Sequence, residues 1–382
     1  MEIYIHIPFC VQKCKYCDFL SSPADKSVQD TYMQALCTEL SYRSDEYKDR
    51  CIETIFIGGG TPSIVEAEWI IKIMDILFTK YHITSDAEIT MEMNPATVTR
   101  DTLAIYRKAG INRLSIGLQS ANDEELKKIG RVHNFQAFLT CYEQARRVGF
   151  ENINVDIMSA LPDQNMKSYK KTLEQVVSLK PAPEHISAYS LILEEGTPLK
   201  AEYDNGKLIL PDEDEERRMY EFTESFLLNH GYERYEISNY AKSGKSCRHN
   251  KGYWERVDYL GFGIGAASKI GNKRFHNTED RKEYINSPIN SYRDIQELTV
   301  EEEMEETMFL GLRMVEGVSM ELFQKNFGIP MEKVYGPVME KHINHKLLQI
   351  KELDNQHYLC LTKKGMDVCN YVMSDFLEPV LF

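Results

Sequence analysis

Over the first two hundred positions, apolar residues alternate between two spacings. The stretches EIYIHI (2–7), IETIFIG (52–58), AEITMEM (87–93), NRLSIGLQ (112–119), NINVDIM (152–158) and HISAYSL (185–191) are short, β-branched and apolar, and predict strands. Between them lie SVQDTYMQALCTELSYR, AEWIIKIMDILFTKY, RDTLAIYRKAG, NFQAFLTCYEQARRVG and SYKKTLEQVVSL, whose apolar residues recur every three or four positions and predict amphipathic helices. Parallel strands need crossover connections of about a dozen residues or more, which these helices supply. The fold class expected is therefore α/β, a partial (β/α)6 barrel of TIM type, with a doubly wound open sheet sharing the same periodicity.

Beyond residue 210 the alternation weakens. PDEDEERRMYEFTESFLLNHG predicts one more helix, and a loop-rich stretch follows from Tyr235 to Ser268. A fresh helical run, VEEEMEETMFLGLRM, precedes SMELFQKNFG, MEKVYGPVMEKHI and two strand-like pieces, LLQIKEL and HYLCLT, on either side of Asp354-Asn355. These predict a small C-terminal α/β unit of winged-helix type. The expected division is a barrel over 1–235, a connecting segment over 236–298 and a helical, winged domain over 299–382.

Composition narrows the function. The 382 residues include 45 basic and 59 acidic side chains, a net charge of −14. Residues 301–382 hold eight Lys/Arg against fourteen Asp/Glu, which argues against nucleic acid as a partner even for a winged domain. No apolar run reaches the roughly 18 to 20 residues of a membrane span, and the opening MEIYIHIPFC has neither a basic n-region nor a cleavage site. A cytoplasmic location is expected. Of nine cysteines only Cys10, Cys14 and Cys17 cluster, so no disulfide framework is expected, and Cys37, Cys141 and Cys360 read as small buried hydrophobes.

Those three thiols, spaced C-x3-C-x2-C in the loop after the first strand, have no second Cys/His pair nearby to close a zinc tetrahedron. They suit a cubane [4Fe–4S] cluster that leaves one iron open to an exogenous ligand. Further polar groups gather at the ends of successive strands, where a barrel builds its site. GGGTP brings Gly59, Gly60 and Thr61, with glycines that leave room for a ligand against bare backbone. MEMNP offers the carboxylate of Glu92, SIGLQS offers Gln119, GR offers the guanidinium of Arg131, and NVDIMSALP offers Asp156.

C-x3-C-x2-C with Tyr16 before the last cysteine resembles the signature of the radical S-adenosylmethionine (SAM) superfamily. From YIHIPFC through GGGTPS, SIGLQS, ALPDQ and YEISNYA to the C-terminal unit, the chain looks like the coproporphyrinogen dehydrogenase family. The resemblance implies a cluster on Cys10, Cys14 and Cys17. It implies SAM contacts from Tyr4, Tyr16, Gly59, Gly60, Thr61, Glu92, Gln119, Arg131 and Asp156.

Two departures separate this chain from the decarboxylases of that family. They carry an extra cysteine two places after the cluster run, where this chain has Phe19, and a substantial segment before the first strand, where only three residues precede Tyr4. RHNKGYW (248–254) instead fits the HNxxYW motif of the family's heme-chaperone branch. The resemblance implies that His249 is an axial ligand to heme iron, with Tyr253 and Trp254 packing on the macrocycle. It implies transfer of heme to an acceptor protein, a reductant protein such as flavodoxin or ferredoxin, and membrane contact only through the acceptor. A radical enzyme acting on a tetrapyrrole, such as an oxygen-independent coproporphyrinogen III oxidase, is the alternative, and a barrel that has lost radical chemistry is the third.

Overall fold

The computed structural model describes residues 1–377. Six parallel strands, β1 (Glu2–Ile7), β2 (Cys51–Gly59), β3 (His82–Met93), β4 (Arg113–Gln119), β5 (Asn152–Ser159) and β6 (His185–Ser190), lie side by side in chain order. The helices between them are α1 (Lys26–Tyr47), α2 (Ala67–Lys80), α3 (Arg100–Lys108), α4 (Asp123–Lys128), α5 (Phe135–Val148) and α6 (Met166–Val177). After β6 come α7 (Pro198–Asp204) and α8 (Glu213–Asn229). The partial barrel expected from the alternation is what forms.

Alternation along each strand decides which side chains reach the interior. Ile3, Ile5 and Ile7 of β1 are fully buried against the helical layer, among Tyr32, Leu36 and Leu40 of α1. Glu2, Tyr4 and His6 therefore point the other way, into the barrel. The parallel register sets Tyr4 beside Phe56 and Glu92 beside Ser115, so polar groups from neighbouring strands meet on the inner face.

The segment expected to connect two domains is instead part of the sheet. After the short antiparallel pair β7 (Glu233–Arg234) and β8 (Asn239–Ala241), helix α9 (Arg248–Trp254) leads into β9 (Tyr259–Phe262), which pairs parallel with β1. Strands β10 (Ala267–Ile270), β11 (Lys273–Asn277) and β12 (Tyr292–Glu297) continue the sheet antiparallel from that edge, so that among the described residues this sheet has twelve strands. Each of these strands is short and the GFGIGAAS turn is glycine-rich, which hides their period. The buried carboxylate of Glu39 on α1 fixes this extension. It accepts hydrogen bonds from the Gly263 N–H (3.0 Å), Asn277 Nδ2 (2.8 Å) and Tyr284 Oη (2.6 Å), the last on helix α10 (Arg281–Asn286).

The C-terminal domain has its own core around Met308, Leu312, Phe323, Tyr335 and Leu359. Helices α11 (Val300–Gly311), α12 (Met320–Phe327) and α13 (Met331–Asn344) pack on a sheet of β13 (Val318–Ser319), β15 (Gln356–Leu361) and β14 (Leu348–Leu353). Asp354 and Asn355 turn the last hairpin with φ of 51° and 61°, as a two-residue primed turn requires. The domain meets the barrel at α9, where the Arg313 guanidinium lies 4.4 Å over the Trp254 ring and Arg256 bonds Glu303 and Glu306.

Candidate cluster and cofactor site

The three clustered cysteines sit on a loop that leaves β1 and is closed at its neck. Ser22 N–H donates to the Pro8 carbonyl (3.0 Å), and Phe9 bridges Ser22. The loop's middle is pinned at Lys15, whose N–H donates to Ile129 O (3.0 Å), whose carbonyl accepts from Leu199 N–H (2.9 Å), and whose Nζ bonds Glu202 (2.7 Å). Gly130 makes this approach feasible, with φ of +76° and a Cβ position only 3.3 Å from the Lys15 nitrogen. Cys10, Cys14 and Cys17 are all free thiols and all face one cavity. Among the described residues no three His, Cys, Asp or Glu converge tightly enough for a single metal ion. Three thiolates spread over one cavity fit a polynuclear cluster better than a lone ion, whose thiolates must all lie about 2.3 Å from one centre.

The cavity, about 490 Å³, opens at the C-terminal ends of the parallel strands. Tyr16, Gly59, Gly60, Thr61, Glu92, Gln119, Arg131 and Asp156 line it together with the cysteines. Gln119 adopts a left-handed φ of 70°, rare for a non-glycine, and Tyr189 Oη donates to its Oε1 at 3.0 Å. Asp156 accepts from Asn154 Nδ2 (2.7 Å) and Ser115 Oγ (3.2 Å), while burial raises its carboxyl above the usual range. Glu92 is pushed up to about 8, first by burial and then by the nearby Asp156 charge, and among the described residues it accepts only the Gly59 N–H, at 3.1 Å. A cationic or hydroxylated ligand would supply the donors that this carboxylate lacks.

The glycine triplet is explained by the protein's own packing. A Cβ on Gly58 would meet Glu92 Oε2 at 2.8 Å, one on Gly59 (φ +107°) the His6 ring at 2.6 Å, and one on Gly60 the Phe9 carbonyl at 2.5 Å. Gly58 makes room for Glu92 of β3, and Gly59 and Gly60 bring β2 against β1 and the cluster loop.

Two of the candidate residues lie outside the cavity. Tyr4 sits one layer deeper, its hydroxyl 3.0 Å from His6 Nδ1, and His6 Nε2 in turn is 2.9 Å from the Leu20 carbonyl of the cluster loop. His249 is not in a loop. It belongs to α9, which plugs the N-terminal end of the barrel, and its side chain is 1% exposed. Its Nδ1 lies 2.7 Å from Thr54 Oγ1 and its Nε2 3.2 Å from Tyr253 Oη, and its ring stacks on Phe56 at 5.2 Å. Both ring nitrogens therefore have partners inside the barrel, and in this arrangement neither is presented to a ligand. Its neighbour Asn250 reaches the floor of the cofactor cavity.

Sequence reasoning missed Asn250, Tyr189 and Gly117. Asn250 was legible in the HN pair, and Gly117 in SIGLQS; Tyr189 carried no local signal.

The fold and site define a radical SAM protein. The Radical SAM superfamily model matches residues 4–176 and the HemN C-terminal domain model matches 298–368. Heme chaperone HemW of Bacillus subtilis (strain 168) is 38% identical over 98% of this chain and 98% of its own length. HemW of Lactococcus lactis is 35% identical over 98% and 96%, and HemW of Escherichia coli (strain K12) 40% over 71% and 70%. Among solved structures, coproporphyrinogen III oxidase (HemN) from Escherichia coli superposes with a TM-score of 0.85 over 98% of this chain and 89% of that one, at 22% identity. The chain therefore belongs to the radical SAM superfamily, in the family of the proteins named heme chaperone HemW. Membership in that superfamily implies a [4Fe–4S] cluster and SAM.

Proposed function

We propose that this protein is a heme chaperone, which binds heme and passes it to an acceptor protein on a radical SAM scaffold. The observation that carries the proposal is the match to Bacillus subtilis HemW along nearly the whole of both chains, whereas the likeness to coproporphyrinogen III oxidase is one of fold. Phe19, where the decarboxylases carry cysteine, supports the same choice; it is exposed at the cavity mouth.

Cys10, Cys14 and Cys17 would hold the cluster. A bound cluster with one open iron supplies a chelation point for SAM and the electron that cleaves its C–S bond. Around that point, Glu92 would accept donors from the cofactor, Gln119 would present its amide, Arg131 would face a carboxylate, and Tyr16 and Thr61 would narrow the cavity. Tyr4 would act through His6, which ties β1 to the cluster loop. His249 would bind heme iron only by exchanging its hydrogen bond to Thr54 or to Tyr253 for the metal. A cytoplasmic location, an acceptor that provides any membrane contact, a flavodoxin- or ferredoxin-like reductant and the absence of nucleic acid partners complete the proposal.

The intact thiolate set and the 490 Å³ cavity favour a second reading, a radical enzyme acting on a tetrapyrrole. One experiment separates the two. The protein is reconstituted anaerobically and given SAM, reductant and either coproporphyrinogen III or heme. Stoichiometric heme uptake in the absorption spectrum with no change in porphyrinogen mass supports the chaperone. Conversion of coproporphyrinogen III to protoporphyrinogen overturns it.

A further inference from the structure

The three cysteine sulfurs are not equivalent. Cys10 Sγ accepts from the neutral Thr61 hydroxyl at 3.7 Å, while Cys14 Sγ accepts from Arg131 Nη1 at 3.6 Å. The rest of the guanidinium is fixed from behind, because Nη2 donates to the Gly117 carbonyl at 2.6 Å. Gly117 is the notch that admits it, since a Cβ there would stand 3.0 Å from Nη2 and 3.0 Å from Gln119 Nε2. No carboxylate pairs with Arg131 among the described residues, and its Nε is buried without a partner. An unpaired cation in such a place is costly unless an anion faces it. The neighbours that do face it are the Cys14 thiol and the hydroxyls of Tyr16 and Tyr189.

We infer that Arg131 is a positioning residue that sets the reduction potential of the cluster by donating a charge-assisted hydrogen bond to the Cys14 sulfur, in addition to any contact with SAM. The inference rests on the proposal that the three cysteines carry the cluster. One-electron reduction adds a negative charge to the cluster, and a nearby cation that donates to a coordinating sulfur stabilises the more negative state. Arg131 therefore raises the potential and makes the electron easier to accept.

The test compares wild type, Arg131→Gln, Arg131→Lys and Gly117→Ala, each reconstituted anaerobically and normalised to iron and sulfide. The electron paramagnetic resonance signal of the reduced cluster is followed in a redox titration without SAM. The expected result is a more negative midpoint in Arg131→Gln and in Gly117→Ala, with Arg131→Lys between Arg131→Gln and wild type. A wild-type midpoint in Arg131→Gln at full cluster content overturns the inference. If Arg131→Gln takes up no cluster, Arg131→Lys and Gly117→Ala decide, because the first removes the planar fork and the second keeps the charge while a Cβ 3.0 Å from Nη2 shifts the guanidinium by a few tenths of an ångström, and wild-type midpoints in both overturn the inference. Failure of the wild type to take up a cluster overturns the underlying assignment of the cysteines, and iron content distinguishes that outcome.

Discussion

His249 Nδ1 lies 2.7 Å from Thr54 Oγ1, which bolts helix α9 to strand β2 from inside the barrel. Burial, with the Arg113 charge, pulls the imidazole down to about 3, so it is neutral at ordinary pH. His249→Ala removes two buried hydrogen bonds and leaves a cavity beside Phe56, at a cost of about 2–4 kcal/mol. Chemical denaturation at pH 7 checks this. The pH dependence has a definite sign: the unfolded chain takes up this proton near 6.5 and the folded one only near 3, so stability falls as pH drops through that window. The variant loses that share, and its stability declines less steeply between pH 6.5 and 4. Heme uptake in this variant must be compared at matched folded fraction, since a loss of uptake from unfolding alone says nothing about ligation.

Glu39 gathers donors from three elements that converge on the β9–β10 turn. Glu39→Ala strands the Gly263 N–H and the Tyr284 hydroxyl in a buried site, while the Asn277 amide loses one of its two acceptors and keeps the Gly263 carbonyl at 2.8 Å. Each unsatisfied group costs about 1–3 kcal/mol, so an overall loss of several kcal/mol is expected. Limited proteolysis should then cut between residues 263 and 292 well before the C-terminal domain, whose core is separate. Uniform cutting along the chain would refute the idea that Glu39 governs this extension of the sheet.

Gly60→Ala places a methyl 2.5 Å from the Phe9 carbonyl oxygen and 2.9 Å from the Phe9 nitrogen. Both are backbone atoms at the base of the cluster loop and have little room to yield. Overpacking of this kind costs about 1–3 kcal/mol, and here the strain falls on the residue before Cys10. Reconstitution should give less iron per chain than wild type, with a lowered melting temperature before reconstitution. A normal iron content would show that the loop tolerates displacement.

How far the sequence reveals this molecule differs between its two barrel ends. At the C-terminal ends of the strands, Thr61, Glu92, Gln119 and Asp156 end or follow apolar runs, so order along the chain translates into position around one cavity, which Arg131 joins from beyond α4. At the N-terminal end it does not. RHNKGYW reads as loop because its helix is short and is capped from outside itself. The Glu88 carboxylate accepts the backbone N–H groups of Arg248 and His249, both at 3.2 Å, from 160 and 161 positions away. Gly252 in the same motif is required because a Cβ would lie 2.0 Å from Glu2 Oε1, another partner that no local pattern discloses. The resemblance named His249 as the ligand, whereas the partners that hold its ring and its helix, Thr54, Glu88 and Glu2, lie far away in sequence and leave no mark on the motif.

The carboxyl of Glu92 ties cofactor affinity to pH. Burial and the Asp156 charge push it up to about 8, so at pH 7 most unliganded molecules carry it protonated. A ligand that brings an ammonium or hydroxyl donor prefers the carboxylate, so binding at pH 7 must release a proton, while binding above pH 9 releases almost none. SAM affinity for the reconstituted protein is therefore expected to rise about tenfold per pH unit well below 8 and to level off above it. Calorimetry in buffers of different ionisation enthalpy reads the proton release directly. Glu92→Gln keeps the size and removes the titration, so its affinity should be weaker at high pH and nearly flat from pH 6.5 to 9. A flat profile in the wild type would mean that the cofactor leaves Glu92 protonated, and that its donors are satisfied by Gln119 or Asp156 instead.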